Sequence, residues 1–112
     1  SSSAKIGEGA VVMPNAVINA RAVIGEGAII NTGAIIEHDC EIGDFAHVSP
    51  NAALAGGVIV GANTHVGIGS CAIQCVKIGS DCIIGAGSVV VRDIADGSVA
   101  YGNPAKVRRN LG

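Results

Sequence analysis

Histidine is the side chain best suited to move a proton near neutral pH, and the chain has three: His38, His47 and His65. Two of them fall within the stretch IIEHDCEIGDFAHVSP, residues 35–50, where His38 stands between Glu37 and Asp39. A carboxylate beside an imidazole fixes its tautomer and raises its basicity, which suits a general base that deprotonates an attacking amine or hydroxyl. Both Asp39 and Glu37 could be that orienting acid. The other reactive groups are four cysteines, Cys40, Cys71, Cys75 and Cys82, with no Cys-x-x-Cys pair among them. Without a secretory signal, this predicts reduced thiols in a cytoplasmic protein.

The elements that position these groups must be built from unusual material. Hydrophobic residues make up 49% of the 112 residues, yet aromatics only 2%, and there are 17 glycines. Such a composition favours thin layers of Val, Ile, Ala and Leu over a core filled with rings. The length predicts one domain. Mean hydropathy is +0.53, and residues 45–76 carry no Lys, Arg, Asp or Glu, but polar residues and glycines interrupt that run. No stretch reaches the ~18 apolar residues of a membrane-spanning helix. A net charge of −2 with one Phe, one Tyr and no Trp argues against nucleic acid as the main ligand. The opening Ser-Ser-Ser, residues 1–3, reads as a linker or a cloning remnant and not as a signal peptide.

A period of six runs through the chain. Every sixth residue from Ile6 to Val90 is apolar, fifteen positions in succession without an insertion, and a residue that is mostly small precedes each by two. Alternate residues of a strand share a face, so the aliphatic and its small partner point inward together. The remaining residues must turn a corner. Gly7, Gly25, Gly43, Gly61 and Gly79 follow the aliphatic at intervals of 18, where glycine would relieve either a crowded bend or a positive φ. Eighteen residues are three hexapeptides, hence three short strands and three corners per coil. Residues 4–91 therefore predict an all-β, triangular parallel β-helix of about five coils, with residues 92–112 as a C-terminal tail.

Counting in sixes puts His38 and Asp39 at a corner, and His47 on an outward strand position with His65 stacked one coil above it. Gly56, 18 residues after His38, leaves the next coil without a side chain beside the imidazole. Cys40 and Cys82 occupy small inward positions, where cysteine behaves as a compact hydrophobe. Cys71 faces outward and Cys75 lies near a corner, but neither has a histidine or a cation adjacent in sequence to activate it. Phe45, at a corner beside Asp44, reads either as a wall of an acceptor site or as cover for a subunit contact.

The repeat, the ending Tyr-Gly-Asn-Pro-Ala-Lys at 101–106 and the segment from Glu37 to Pro50 resemble the hexapeptide-repeat acyltransferases. The resemblance is to the branch of sugar-nucleotide N-acetyltransferases and sialic acid O-acetyltransferases. It implies a left-handed β-helix, although right-handed crossovers are the general rule. It also implies acetyl-CoA as donor and direct acetyl transfer, with the amine of a UDP-4-amino-sugar as acceptor. In residues, it implies His38 as general base, Asp39 as its modulating partner and His47 as a contact to the thioester. Gly56, Ile68 and Ala86 would line the pantetheine groove, without a metal. The family is a homotrimer with sites between subunits. That suits the spacing, because nine residues are half a coil and separate His38 from His47 within one chain.

Lys77, Arg92, Lys106, Arg108 and Arg109 gather toward the C-terminal end, where the phosphates of coenzyme A would need cations. Members of this branch usually carry an N-terminal nucleotide-binding domain, whereas the repeats here begin by residue 4, so no uridine contacts can be named. Three other functions compete with this one. A sugar or sialic acid hydroxyl could be the acceptor in place of the amine. A zinc γ-type carbonic anhydrase would need His38, His47 and His65 as ligands, and its His-x-x-x-x-His pair is absent. A non-catalytic scaffold would leave Glu-His-Asp at a corner unexplained.

Overall fold

The computed structural model describes residues 3–111; residues 1 and 2 of the expected linker, and residue 112, lie outside the described residues. Fifteen two-residue strands recur every six residues, from Lys5–Ile6 to Val89–Val90. They stack in register on three faces. Lys5–Ile6, Val23–Ile24, Glu41–Ile42, Ile59–Val60 and Lys77–Ile78 form the first face. The second contains Val11–Val12, Ile29–Ile30, His47–Val48, His65–Val66 and Ile83–Ile84, and the third runs from Val17–Ile18 to Val89–Val90. Every pairing among these strands is parallel and offset by 18 residues, as in Lys5↔Val23 and His47↔His65. The predicted triangular coil is therefore the observed one.

The second residue of each strand points inward, and from Ile24 to Val90 these side chains are buried. The small residues two before them, such as Ala22, Ala34, Cys40 and Cys82, are buried in the same layers. Ile6 and Val12 have the same pattern but are 49% and 42% exposed, because the first coil packs against a neighbour on one side only. Polar residues enter the core late and with partners. The Thr64 hydroxyl donates to the Gly79 carbonyl, and Ser70 and Ser88 donate to that of Gly85. Among the described residues no buried side-chain N or O lacks a partner. Ile36 is fully buried, so Ile36→Val is expected to cost about 1 kcal/mol in chemical denaturation. A change below about 0.3 kcal/mol would mean that this layer is loosely packed.

The corners work differently from one of the two sequence expectations. Glycines 7, 25, 43, 61 and 79 do not adopt positive φ; a Cβ at Gly43 would stand 2.5 Å from the Ala62 nitrogen of the next coil. Close coil-to-coil approach is what they accommodate. Positive φ falls two residues later in the repeat, at Gly9, Gly27 and Gly57, but also at Arg21 (59°), Asp39 (61°), Phe45 (58°) and Cys75 (62°). These residues accept a left-handed backbone because the coils on either side hold it: the Asp39 N–H donates to Ala20 O below, at 3.0 Å.

Beyond the fifteenth strand, Ser98–Gly102 continues the second face, parallel to Ile83–Ile84, and Ala105–Asn110 turns back antiparallel to it. Among the described residues no helix is long and apolar enough to cross a membrane.

Candidate active site

His38 and Asp39 occupy the turn between Ile35–Ile36 and Glu41–Ile42. Asp39 Oδ2 lies 3.0 Å from His38 Nδ1. The carboxylate can only accept, so Nδ1 carries a proton, and in the neutral ring Nε2 presents its lone pair. Of the two acids flanking His38, Asp39 is thus the orienting one. Glu37 is engaged elsewhere, accepting from Asn19 Nδ2 at 2.9 Å.

The far side of the imidazole rests on Gly56. A Cβ there would lie 2.6 Å from both His38 Cε1 and Nε2, so the ring fills the space that the missing side chain leaves. His38, Asp39, Gly56, Gly57, Gln74 and Cys75 line a groove of about 380 Å³. Cys75 stands two coils above Asp39 and reaches this groove, a proximity that adjacency in sequence does not reveal.

Arg21 completes the corner. Its Nε and Nη2 donate to Asp39 Oδ1 and Oδ2 at 2.8 and 2.9 Å. The guanidinium bonds first, and the His38 bond second, hold the Asp39 carboxyl down at about 2. Asp39 therefore stays ionised at any pH where an imidazole is free to act as a base. Sequence reading missed Arg21, although it lies 18 residues before Asp39 and the repeat itself gives that interval.

His47 and His65 stack on the second face as expected, with ring centroids 4.8 Å apart in an edge-to-face arrangement. His47 Nε2 lies 3.1 Å from Asn31 Nδ2, and His65 Nε2 lies 3.1 Å from Ser49 Oγ. With the amide of Asn31 donating, His47 is neutral and carries its proton on Nδ1. Partial burial, and secondarily His65, lowers the pKa of His47. The unfolded chain then protonates at His47 more readily than the folded chain, so this residue reduces stability as pH falls through the ordinary histidine range. Between about pH 7 and 5, His47→Asn is expected to flatten the fall in thermal midpoint. An unchanged slope would contradict this.

The predicted site residues divide into two groups within one chain. His38, Asp39 and Gly56 share one edge of the prism. Ile68 and Ala86 lie on the edge beside the His47 face, one coil apart and joined by Gly87 N–H to Ile68 O at 2.8 Å, and Ile68 is 58% exposed. Arg92 and Lys106 line a second cavity of about 450 Å³ near the C-terminal end. Arg108 is committed to Tyr101, lying 5.0 Å above its ring and donating to its carbonyl. Phe45 is 59% exposed and lies against Gly27 of the coil below.

Residues 3–38 and 21–56 match the family model described as bacterial transferase hexapeptide (six repeats). No curated protein matches the chain. Among solved structures, the chain is similar to a histidine-to-asparagine variant of perosamine N-acetyltransferase from Caulobacter crescentus, in complex with CoA and GDP-perosamine. Identity is 49% over 98% of this chain and 52% of that one, with a TM-score of 0.97. It is also similar to the acetyltransferase domain of PglB from Neisseria gonorrhoeae in complex with acetyl coenzyme A. There identity is 46% over 96% of this chain and 52% of that one, with a TM-score of 0.95. A maltose O-acetyltransferase from Clostridium difficile, at 23% identity over 99% of this chain and 72% of that one, shares the fold, with a TM-score of 0.78. The chain spans about half the length of the first two of these structures. The repeat, the three stacked faces and these likenesses converge: residues 3–56 carry the bacterial transferase hexapeptide repeat, and the coils beyond them continue it in the same left-handed β-helix fold.

Proposed function

We propose that the chain is the acetyl-transfer unit of an acetyl-CoA-dependent N-acetyltransferase acting on a nucleotide-linked amino sugar. The observation that carries this reading is the corner itself: an imidazole with Nδ1 held by Asp39, Nε2 free, and a glycine opposite that leaves room for it. The two relatives at 46% and 49% identity are an acetyltransferase domain with acetyl coenzyme A and an N-acetyltransferase with CoA and GDP-perosamine. They favour an amine over a hydroxyl acceptor.

His38 Nε2 takes a proton from the neutral acceptor amine as the nitrogen attacks the thioester carbonyl. The C–N bond forms, the C–S bond breaks, and the proton held on Nε2 passes to the departing sulfur, so that coenzyme A leaves as the thiol. His47 contacts the thioester, and Ile68 and Ala86 border the pantetheine arm. Gly56, expected along that arm, also seats the His38 ring. Arg92 and Lys106 are placed to meet coenzyme A phosphates. Residues 4–91 are the transfer prism and residues 92–112 its C-terminal segment.

Since His38 and His47 lie on different parts of one prism, one acetyl group meets both only between two chains. The reading therefore includes a homotrimer with three equivalent sites. Acetyl-CoA and nucleotide-activated sugars are cytoplasmic metabolites, which puts the reaction in the cytoplasm. Thiol release from acetyl-CoA, driven by GDP-perosamine or a UDP-4-amino-sugar, tests the activity. Sedimentation should give three times the 11.0 kDa chain mass. No acceptor-driven release, or a fully active monomer, would overturn the respective part.

A further inference from the structure

We infer that Arg21 is a positioning residue for the base: it locks the Asp39 carboxylate so that His38 keeps its proton on Nδ1 and its lone pair on Nε2. This rests on His38 acting as the base of the proposed transfer.

Arg21 and Asp39 are 65% and 46% exposed at their side chains, and an exposed ion pair adds little to stability. The arrangement is nevertheless tightly determined. The Asp39 N–H is tied to Ala20 O of the coil below, which places Arg21 directly beneath the carboxylate. Both residues hold positive φ, at 59° and 61°, so each side chain leaves a rigid turn and not a free loop. The guanidinium then donates twice, to Oδ1 and Oδ2. Two parallel bonds fix the carboxylate plane, which one bond cannot do. Oδ2 also faces His38 Nδ1. With Arg21 removed, the carboxylate turns about its last torsion and the imidazole loses its fixed acceptor.

The other groups around the ring do not substitute for Arg21. Glu37 is held by Asn19, Gly56 has no side chain, and Gln74 and Cys75, which line the same groove, carry no positive charge. Lys5 and Lys77 lie on the first face. Arg21 is the cation bonded to Asp39.

The test combines spectra with kinetics. Long-range proton–nitrogen spectra of the unmodified protein should show His38 protonated on Nδ1. Arg21→Ala, and Arg21→Gln as the variant that keeps a stem, should show a mixture of both tautomers, and Arg21→Lys should recover part of the original. In acetyl transfer, Arg21→Ala is expected to lower kcat tenfold or more at unchanged KM for acetyl-CoA. The same substitution should cost nothing further in an Asp39→Asn background, since both act through one carboxylate. An unaltered tautomer in Arg21→Ala and Arg21→Gln, or a loss of equal size in the Asp39→Asn background, would overturn the inference. If the unmodified chain transfers no acetyl group, the proposed function fails, but the spectra still decide the role of Arg21.

Discussion

His38→Ala is expected to lower kcat for acetyl transfer about a thousandfold, the usual weight of a positioned general base. The affinity for acetyl-CoA should stay unchanged, since donor binding in this account depends on His47, Ile68 and Ala86. The fold should also remain, because the imidazole is a corner side chain outside the buried layers. The residual rate comes from holding donor and acceptor together, which the substitution does not touch. The decisive comparison is therefore kcat against acetyl-CoA affinity, with thermal unfolding as the control. Equal losses in both would place His38 in donor binding. A kcat within threefold of the unmodified protein would remove it from the chemistry.

Gly56→Ala is the second large effect, expected at about a hundredfold in kcat. The added methyl would sit 2.6 Å from His38 Cε1 and Nε2, and no backbone atom is among its nearest neighbours. Gly56 has no positive φ, so alanine suits its backbone. The imidazole must swing aside, and Nε2 leaves its place while the coils remain stacked. If Gly56 acts only as a wall of the pantetheine groove, the same substitution should instead raise KM for acetyl-CoA and spare kcat. The two outcomes separate positioning of the base from contact with the donor.

The coils were legible in the sequence because each hexapeptide meets the same surroundings. Ile36, Leu54 and Ala72 occupy successive layers of one face, and one apolar pattern serves them all. The placement of positive φ was not legible. Arg21, Phe45 and Cys75 adopt it without being glycine or asparagine, so coil stacking overrides the local preference.

The site shows the same division. His38 and Asp39 are adjacent, and Gly56 follows by a single coil, so a count of 18 recovers all three. That count run backward from Asp39 gives Arg21, and from Glu37 gives Asn19, which would have settled which acid serves the imidazole. Asn31 with His47, and Ser49 with His65, are separated by 16 residues. The contact recurs one coil up, but each bond joins a face to a corner and so spans 16 residues, which a count of 18 does not find. Cys75 enters the His38 groove through a count of 36, two coils from Asp39.

That last proximity sets up the most direct test of direct transfer. Mix the protein with isotopically labelled acetyl-CoA and an amino-sugar nucleotide, quench within one turnover, and locate the acetyl group by mass. The account predicts label on the sugar amine only, with every cysteine unmodified. Label on Cys75 that forms and decays before product appears would contradict it and make the thiol the first acceptor.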